Sequence, residues 1–199
     1  QIKTRNDLVK IIKEYKNMTN LNTLGPQDAN VEIKEFIDFN CGGCLMANIY
    51  LHEIVREFKN VKVTQFNVPL EKICNPNMQF DGHKNSCLKA RYALAAKKQN
   101  QYWPMADLLF YANIENENEL IDKSRLLDLD IKKLKEDARS EEIEKEIQDS
   151  IKFADENDVV GTPTRYIGMQ KIVGAPRYLD LKNIVIQHGG IEKETNYVQ

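Results

Sequence analysis

The sequence predicts an α/β fold class: one α/β domain interrupted by an all-helical insertion. Three observations lead there. Strand-period, helix-period and strand-period segments follow one another over residues 31–68, a βαβ order that calls for parallel strands. Residues 86–153 are then mostly helical in pattern, and strand character returns only at 164–173, before one last helix. Charge shifts over the same interval: residues 114–158 carry 16 acids and 8 bases, a net of −8, against +6 for the rest. We read the acidic block as a solvated helical face in preference to a partner-binding patch.

Taken in order, residues 5–17 place Leu8, Ile11, Ile12 and Tyr15 at helical spacing, with Thr4 and Asp7 resembling a capping box. Residues 20–30, punctuated by Gly25-Pro26, read as loop. Val31, Ile33, Ile37 and Phe39 alternate with Glu32, Lys34 and Asp38, a strand running straight into Cys41-Gly42-Gly43-Cys44. Leu45, Ile49, His52, Val55 and Phe58 predict a helix over 42–59, and 61–68 a second strand that Pro69 ends. Residues 70–85 read as loop. The helical block breaks near Asn100, Asn113–Asn118, Asp130 and Ser140, with Leu88, Tyr92, Ala95 and Ala96 forming one apolar stripe and Ile143, Ile147, Ile151 and Ala154 another. Thr164–Ile167 and Lys171–Val173 form a hairpin around Gly168-Met169-Gln170, and a helix over 178–187 stops at Gly189-Gly190. From Glu192 the tail is polar and expected to fray. The expected division is 1–72 for the N-terminal helix and first half of the α/β domain, 73–157 for the insertion, and 158–199 for the second half.

Composition excludes several classes. The 199 residues hold 28 Lys and Arg against 30 Asp and Glu, a net charge of −2, so no basic stripe is available for nucleic acid. No apolar run approaches the roughly 18 residues that span a bilayer. Residue 1 is Gln and no leader pattern follows, so a chain whose signal or anchor has been removed is expected.

The four cysteines carry the chemistry. C-x-x-C serves as a redox dithiol, as half of a metal site, or arises by accident. Cys41 ends a strand and begins a helix, where unpaired N–H groups and the helix dipole stabilise a thiolate, the attacking species in disulfide exchange. The redox reading is therefore preferred, with Cys41 as the more exposed attacking thiol and Cys44 as the buried resolving one. Zinc would want a second close ligand pair. Cys74 and Cys87, 13 positions apart, suit a loop-closing bridge, which would imply an oxidising compartment; two free buried thiols are the alternative. Glu35 falls on the apolar phase of its strand, where a carboxylate costs free energy unless partnered. It is a candidate proton acceptor for the cysteine pair, or else lies at a strand edge open to water. His52, His83 and His188 are scattered and read as ordinary helix or loop residues. Thr162-Pro163 precedes a strand, where a cis bond would free backbone groups to pair with an extended peptide, although only about 5–6 % of such bonds are cis.

The run Asp28-Ala29-Asn30-Val31-Glu32-Ile33-Lys34-Glu35-Phe36-Ile37-Asp38-Phe39-Asn40-Cys41-Gly42-Gly43-Cys44 resembles the active-site strand and helix start of DsbA-like thiol–disulfide oxidoreductases. Pro69-Leu70, Cys74-Asn75-Pro76, Cys87, Ala90, Ala93, Tyr102-Trp103-Pro104-Met105 and Leu108-Leu109-Phe110 are similar to a branch with a second cysteine pair. Val160-Gly161-Thr162-Pro163-Thr164 resembles that family's cis-proline loop, and Gly174 follows the hairpin as it does there. The resemblance spans residues 26–188. It implies a thioredoxin fold with an inserted helical domain, no cofactor, and Glu35 as the family's buried acid. It also implies that Thr162 and Pro163, beside Gly42 and Gly43, contact the backbone of cysteine-containing exported substrates. The branch works with a quinone-linked membrane reoxidant resembling vitamin K epoxide reductase, so a separate reoxidant, a monomer and a periplasmic or other extracytoplasmic site are expected. Three departures bear on the direction of electron flow. Gly42-Gly43 stands where well-known oxidants have Pro-His, the acid's basic partner would fall near uncharged Gln65, and Thr162 also occurs in isomerase and reductase relatives. Introduction of disulfide bonds is the leading function. A reductase or isomerase is the alternative of the same fold, and a Cu(I) carrier using Cys41, Cys44 and Met46 the alternative from another class.

Overall fold

The structure, a computed structural model, describes residues 19–20, 22–80 and 82–194. The helix expected at 5–17 lies outside them. The elements are β1 (Thr19–Asn20), β2 (Thr23–Leu24), β3 (Val31–Ile37), α1 (Gly42–Glu57), β4 (Val61–Asn67), α2 (Ser86–Lys97), α3 (Tyr102–Tyr111), α4 (Glu117–Ser124), α5 (Ile131–Ala138), α6 (Glu141–Glu156), β5 (Thr164–Ile167), β6 (Gln170–Val173) and α7 (Tyr178–Gln187). They form one mixed six-stranded sheet in the order β1-β2-β4-β3-β5-β6.

The centre of this sheet is β3. It runs parallel to β4, with Glu35 opposite Gln65, and antiparallel to β5, with Glu35 opposite Arg165. Its odd residues Val31, Ile33, Glu35 and Ile37 are all buried on one face. On the other face, fully buried Phe36 lies 5.3 Å from Phe66, 5.5 Å from Phe153 of α6 and 6.3 Å from Tyr166, ring centre to ring centre. Burying such a side chain is worth about 1.5–3 kcal/mol. The last helix of the block between β4 and β5 thus covers one face of the sheet. Within that block α2 buries Ala90, Ala93, Ala95 and Ala96, small residues that let α3 approach with Trp103, Met105 and Leu109 fully buried.

Three of the expected helix breaks become N-caps. Asn116 accepts from the Glu119 N–H at 3.1 Å, Asp130 from Lys133 at 3.0 Å and Ser140 from Ile143 at 3.3 Å. Each contributes about 1 kcal/mol and sets where its helix starts.

Three local expectations need correction. Residues 20–30 are not all loop: β2 pairs antiparallel with β4 and extends the sheet. Two-residue strands show no periodicity, and what holds them is β4, some forty positions away. Gly25 permits this packing, since its φ is +109° and a Cβ there would sit 2.5 Å from the Val61 carbonyl oxygen. β3 stops at Ile37 because the Asp38 side chain captures the Asn40 N–H at 2.6 Å and turns the chain. The start of the tail, expected to fray from Glu192, is pinned through Lys193: Glu192 bridges Phe58, and the Lys193 N–H donates to the Glu57 carbonyl at 2.7 Å, while residues 195–199 lie outside the described residues.

Candidate active site

Cys41 is the N-cap of α1, in extended conformation (φ −79°, ψ 117°) and with no side-chain capping bond. Its carbonyl accepts from Cys44 at 3.0 Å and Leu45 at 3.2 Å, while the N–H groups of the first turn are left for the sulfur. That turn holds no acid to oppose the positive end of the helix. The sulfur is partly exposed and Cys44 is buried; the two thiols are unbonded. The Cys44 thiol, hydrogen-bonded to the Cys41 sulfur, is the largest influence pulling the Cys41 pKa from 9.0 down to about 5, helped by the Thr162 side chain and the N–H groups of Cys44 and Gly43. Burial, and then Cys41 itself, push Cys44 strongly upward, so it stays a thiol. The pair is asymmetric, as exchange chemistry requires: one sulfur ready to attack or leave, the other holding its proton.

The Thr162–Pro163 loop faces Cys41. The peptide bond is cis, and the Thr162 carbonyl lies 3.2 Å from Cys41 Sγ. Gly43 and Pro163 meet so closely that a methyl at Gly43 would sit 3.0 Å from Pro163 Cδ and 3.7 Å from the Cys41 sulfur. Gly42 is exposed with nothing beside it. Five of the residues singled out from sequence therefore converge at one mouth: Cys41, Cys44, Gly43, Thr162 and Pro163.

Glu35 lies beneath them, fully buried in the middle of the sheet rather than at an edge. Its charge is among those that hold Cys44 up. Burial raises the Glu35 pKa, and Arg165 opposes that rise. The expectation that this acid lacks a basic partner is wrong. Arg165 Nε donates to Glu35 Oε1 at 3.0 Å, with both side chains fully buried, and Gln65 Nε2 donates to Oε2 at 2.8 Å. Arg165 also donates to the Gly174 carbonyl at 3.2 Å. The counter-charge arrives from β5 rather than β4. In sequence its trace was a cation in the buried phase of a four-residue strand, but only strand pairing brings it to Glu35.

Cys74 and Cys87 form a disulfide with Cα atoms 5.9 Å apart, linking the segment after β4 to the first turn of α2. Two histidines read as ordinary have specific partners. His52 Nε2 lies 3.0 Å from Asp107 Oδ1, which also accepts from Asn48 at 2.7 Å and so ties α1 to α3. His83 Nδ1 lies 3.0 Å from Asp38 Oδ1, three residues before Cys41. Met46 is 42 % exposed. Among the described residues no group of three or more His, Cys, Asp or Glu side chains is placed to hold a metal ion, and no helix is long and apolar enough to cross a membrane.

Residues 32–185 match the DSBA-like thioredoxin domain family. The chain is 28 % identical over 152 residues to a protein named Na(+)/H(+) antiporter NhaA 1 from Salinispora arenicola, covering 76 % of this chain and 22 % of that protein. It is 28 % identical over 155 residues to a probable disulfide bond formation protein D from Bacillus anthracis, covering 73 % of this chain and 68 % of that one. The first of these shows that the chain spans only about a fifth of some of its curated relatives. A thioredoxin-like oxidoreductase from Silicibacter pomeroyi superposes with a TM-score of 0.73 at 24 % identity, over 88 % of this chain and 95 % of that one. Oxidised BdbD from Bacillus subtilis does so with a TM-score of 0.69 at 23 % identity, over 84 % and 92 %. The expected α/β class, a thioredoxin fold carrying a helical insertion, is the observed one. With a family match across most of its length and a C-x-x-C pair at the head of α1, the chain belongs to the DSBA-like thioredoxin domain family.

Proposed function

We propose that this protein introduces disulfide bonds into exported proteins. A substrate thiolate attacks Cys41 Sγ of the oxidised Cys41–Cys44 pair. The Cys41–Cys44 bond breaks, the electron pair leaves on Cys44, and Glu35 supplies the proton that makes Cys44 a thiol. A second substrate thiolate then attacks the substrate sulfur of the mixed disulfide, and Cys41 leaves as a thiolate. The substrate is oxidised by two electrons and the protein pair reduced by two. Thr162 and Pro163 line the substrate backbone, and Gly43, packed against Pro163 without a side chain, keeps the mouth open to it.

What carries the direction is the placing of Cys41 at the head of α1 with the Cys44 thiol hydrogen-bonded to its sulfur, which holds its pKa down to about 5. A stabilised thiolate favours the reduced form, which makes the disulfide a better oxidant. A dithiol whose attacking thiol has a pKa of about 7 sits near −270 mV in thioredoxin. Each tenfold stabilisation of the thiolate is worth about 30 mV in a two-electron couple, so a couple less negative than about −270 mV is expected. The Cys74–Cys87 disulfide supports an oxidising, extracytoplasmic setting. A membrane reoxidant would return the pair to its oxidised state. We read residues 73–157 as the insertion, and 1–72 with 158–199 as the two parts of the thioredoxin domain.

The test mixes oxidised protein with a reduced two-cysteine peptide and measures the potential against glutathione. Oxidation of the peptide, with a couple less negative than about −270 mV, is expected. No oxidation, with a couple near −270 mV, overturns the reading in favour of a reductase or isomerase.

A further inference from the structure

Asp38 occupies the turn between β3 and Cys41, and its backbone touches both cysteines. Its carbonyl accepts from the Cys41 N–H at 3.1 Å, and its own N–H hydrogen-bonds the Cys44 sulfur. Its carboxylate, fully buried, is held from two sides. Oδ1 accepts from the Asn40 N–H at 2.6 Å and lies 3.0 Å from His83 Nδ1. Oδ2 accepts from the Leu70 N–H at 2.7 Å and from Ser86 Oγ at 2.6 Å. His83 and Ser86 lie in the loop that Cys74–Cys87 closes, and Leu70 is tied to it, its carbonyl accepting from the Gly82 and His83 N–H groups at 3.1 and 3.0 Å. Asn40 is gripped from the same side: its side chain donates to the carbonyl of Lys84, in the closed loop, at 2.6 Å and accepts from Nζ of Lys89, in α2 just past it, at 2.6 Å. Lys89 is itself nearly buried and supplies positive charge near Asp38.

Such a buried carboxylate costs free energy unless its acceptor sites are filled, and here Ser86 of the disulfide-closed loop and Leu70, which that loop holds, fill Oδ2, with His83 of the loop close to Oδ1. We propose that Asp38 is a positioning residue through which the Cys74–Cys87 segment holds Cys41 in the turn that makes it reactive. The disulfide then has a task beyond stability. By keeping His83 and Ser86, and through the loop Leu70, in place around one carboxylate, it sets the geometry of a turn whose backbone contacts both redox sulfurs. The inference rests on Cys41 being the attacking thiol of the proposed function.

The experiment titrates the Cys41 thiolate by its ultraviolet absorbance in reduced protein. The chains compared are wild type, Asp38→Asn, Ser86→Ala, the double variant Cys74→Ala/Cys87→Ala, and that double variant combined with Asp38→Asn. Removing a negative charge near a thiolate would by itself lower its pKa. Lost positioning does the opposite, so the expected result is a rise of about one unit for Asp38→Asn, a tenfold loss of thiolate in the steep range. Ser86→Ala gives a smaller rise in the same direction. Removal of the disulfide raises the Cys41 midpoint in the wild-type background and adds little in the Asp38→Asn background, the non-additivity of groups acting through one another. Unchanged or lowered midpoints in folded variants, or strictly additive shifts, overturn the proposal. Should Asp38→Asn not fold, Ser86→Ala and the cysteine double variant decide it: a rise in both supports the proposal, and an unchanged midpoint in either overturns it. A wild-type Cys41 that does not titrate in the acidic range overturns the attacking-thiol assignment instead, so the two failures are distinguishable.

Discussion

Replacing Arg165 with Met removes the cation that faces Glu35 across 3.0 Å with both side chains fully buried. The shape of the site is roughly kept, but the carboxylate retains only its bond from Gln65 Nε2. Breaking one partner of a buried ion pair costs about 3–5 kcal/mol, because the remaining charge is left without compensation. Against a total stability of about 5–15 kcal/mol, that is enough to leave the variant marginal. The penalty has a definite pH dependence. Burial holds the Glu35 pKa above its ordinary value of 4.5, so in the window above 4.5 the folded state binds more protons than the unfolded one. Its stabilising share is present below the unfolded pKa and is lost as pH rises through the folded one. Without Arg165 the folded pKa rises further and the window widens. Urea unfolding of wild type and Arg165→Met at about pH 4.5 and about pH 8 should therefore show a deficit that grows with pH. Glu35→Gln in the Arg165→Met background removes the buried charge and should restore much of the loss at the higher pH. An equal deficit at both pH values, with no recovery in the double variant, would refute the ion-pair account.

Three further outcomes are expected. Reduced protein should show one thiolate transition near pH 5 that Cys41→Ser abolishes, and the stabilisation this gives the reduced form should be lost as pH falls through that value; chemical denaturation of reduced and oxidised protein across that range checks the second part. Cys74→Ser/Cys87→Ser should lower stability by about 3 kcal/mol for a loop of this size, or about 6–12 °C in Tm, read by calorimetry. Gly43→Ala should slow exchange with a peptide disulfide several-fold, because its methyl meets Pro163 Cδ at 3.0 Å, whereas Gly42→Ala, with open space around it, should leave the rate nearly unchanged; stopped-flow exchange compares the two.

Much of the frame was legible before any coordinates. β3, α1, β4 and α7 declare themselves by apolar period, because each buries one face and the pattern repeats every two or nearly four residues. Asn116, Asp130 and Ser140 mark helix starts because a short polar side chain can satisfy the N–H groups that a helix start leaves open. Cys41 and Cys44 stand out because strand, C-x-x-C and helix is a local arrangement whose chemistry is itself local.

What tertiary structure alone decided is who stands opposite whom. Glu35 was visible as a misplaced charge, but its partner Arg165 lies 130 positions away and reaches it through antiparallel pairing of β3 with β5. Asp38 read as the polar member of an alternating strand, and only packing of the 70–89 segment turned its carboxylate into the hub beside the cysteines. β1 and β2 were invisible because two residues carry no period, and their place depends on an edge of β4 that the rest of the fold must first build. Local sequence determined the elements and the C-x-x-C pair, because backbone propensity and helix-end chemistry act over a few residues. The environment that makes one sulfur acidic and keeps the other protonated came from contacts between distant segments, since burial and charge compensation exist only once those segments are packed together.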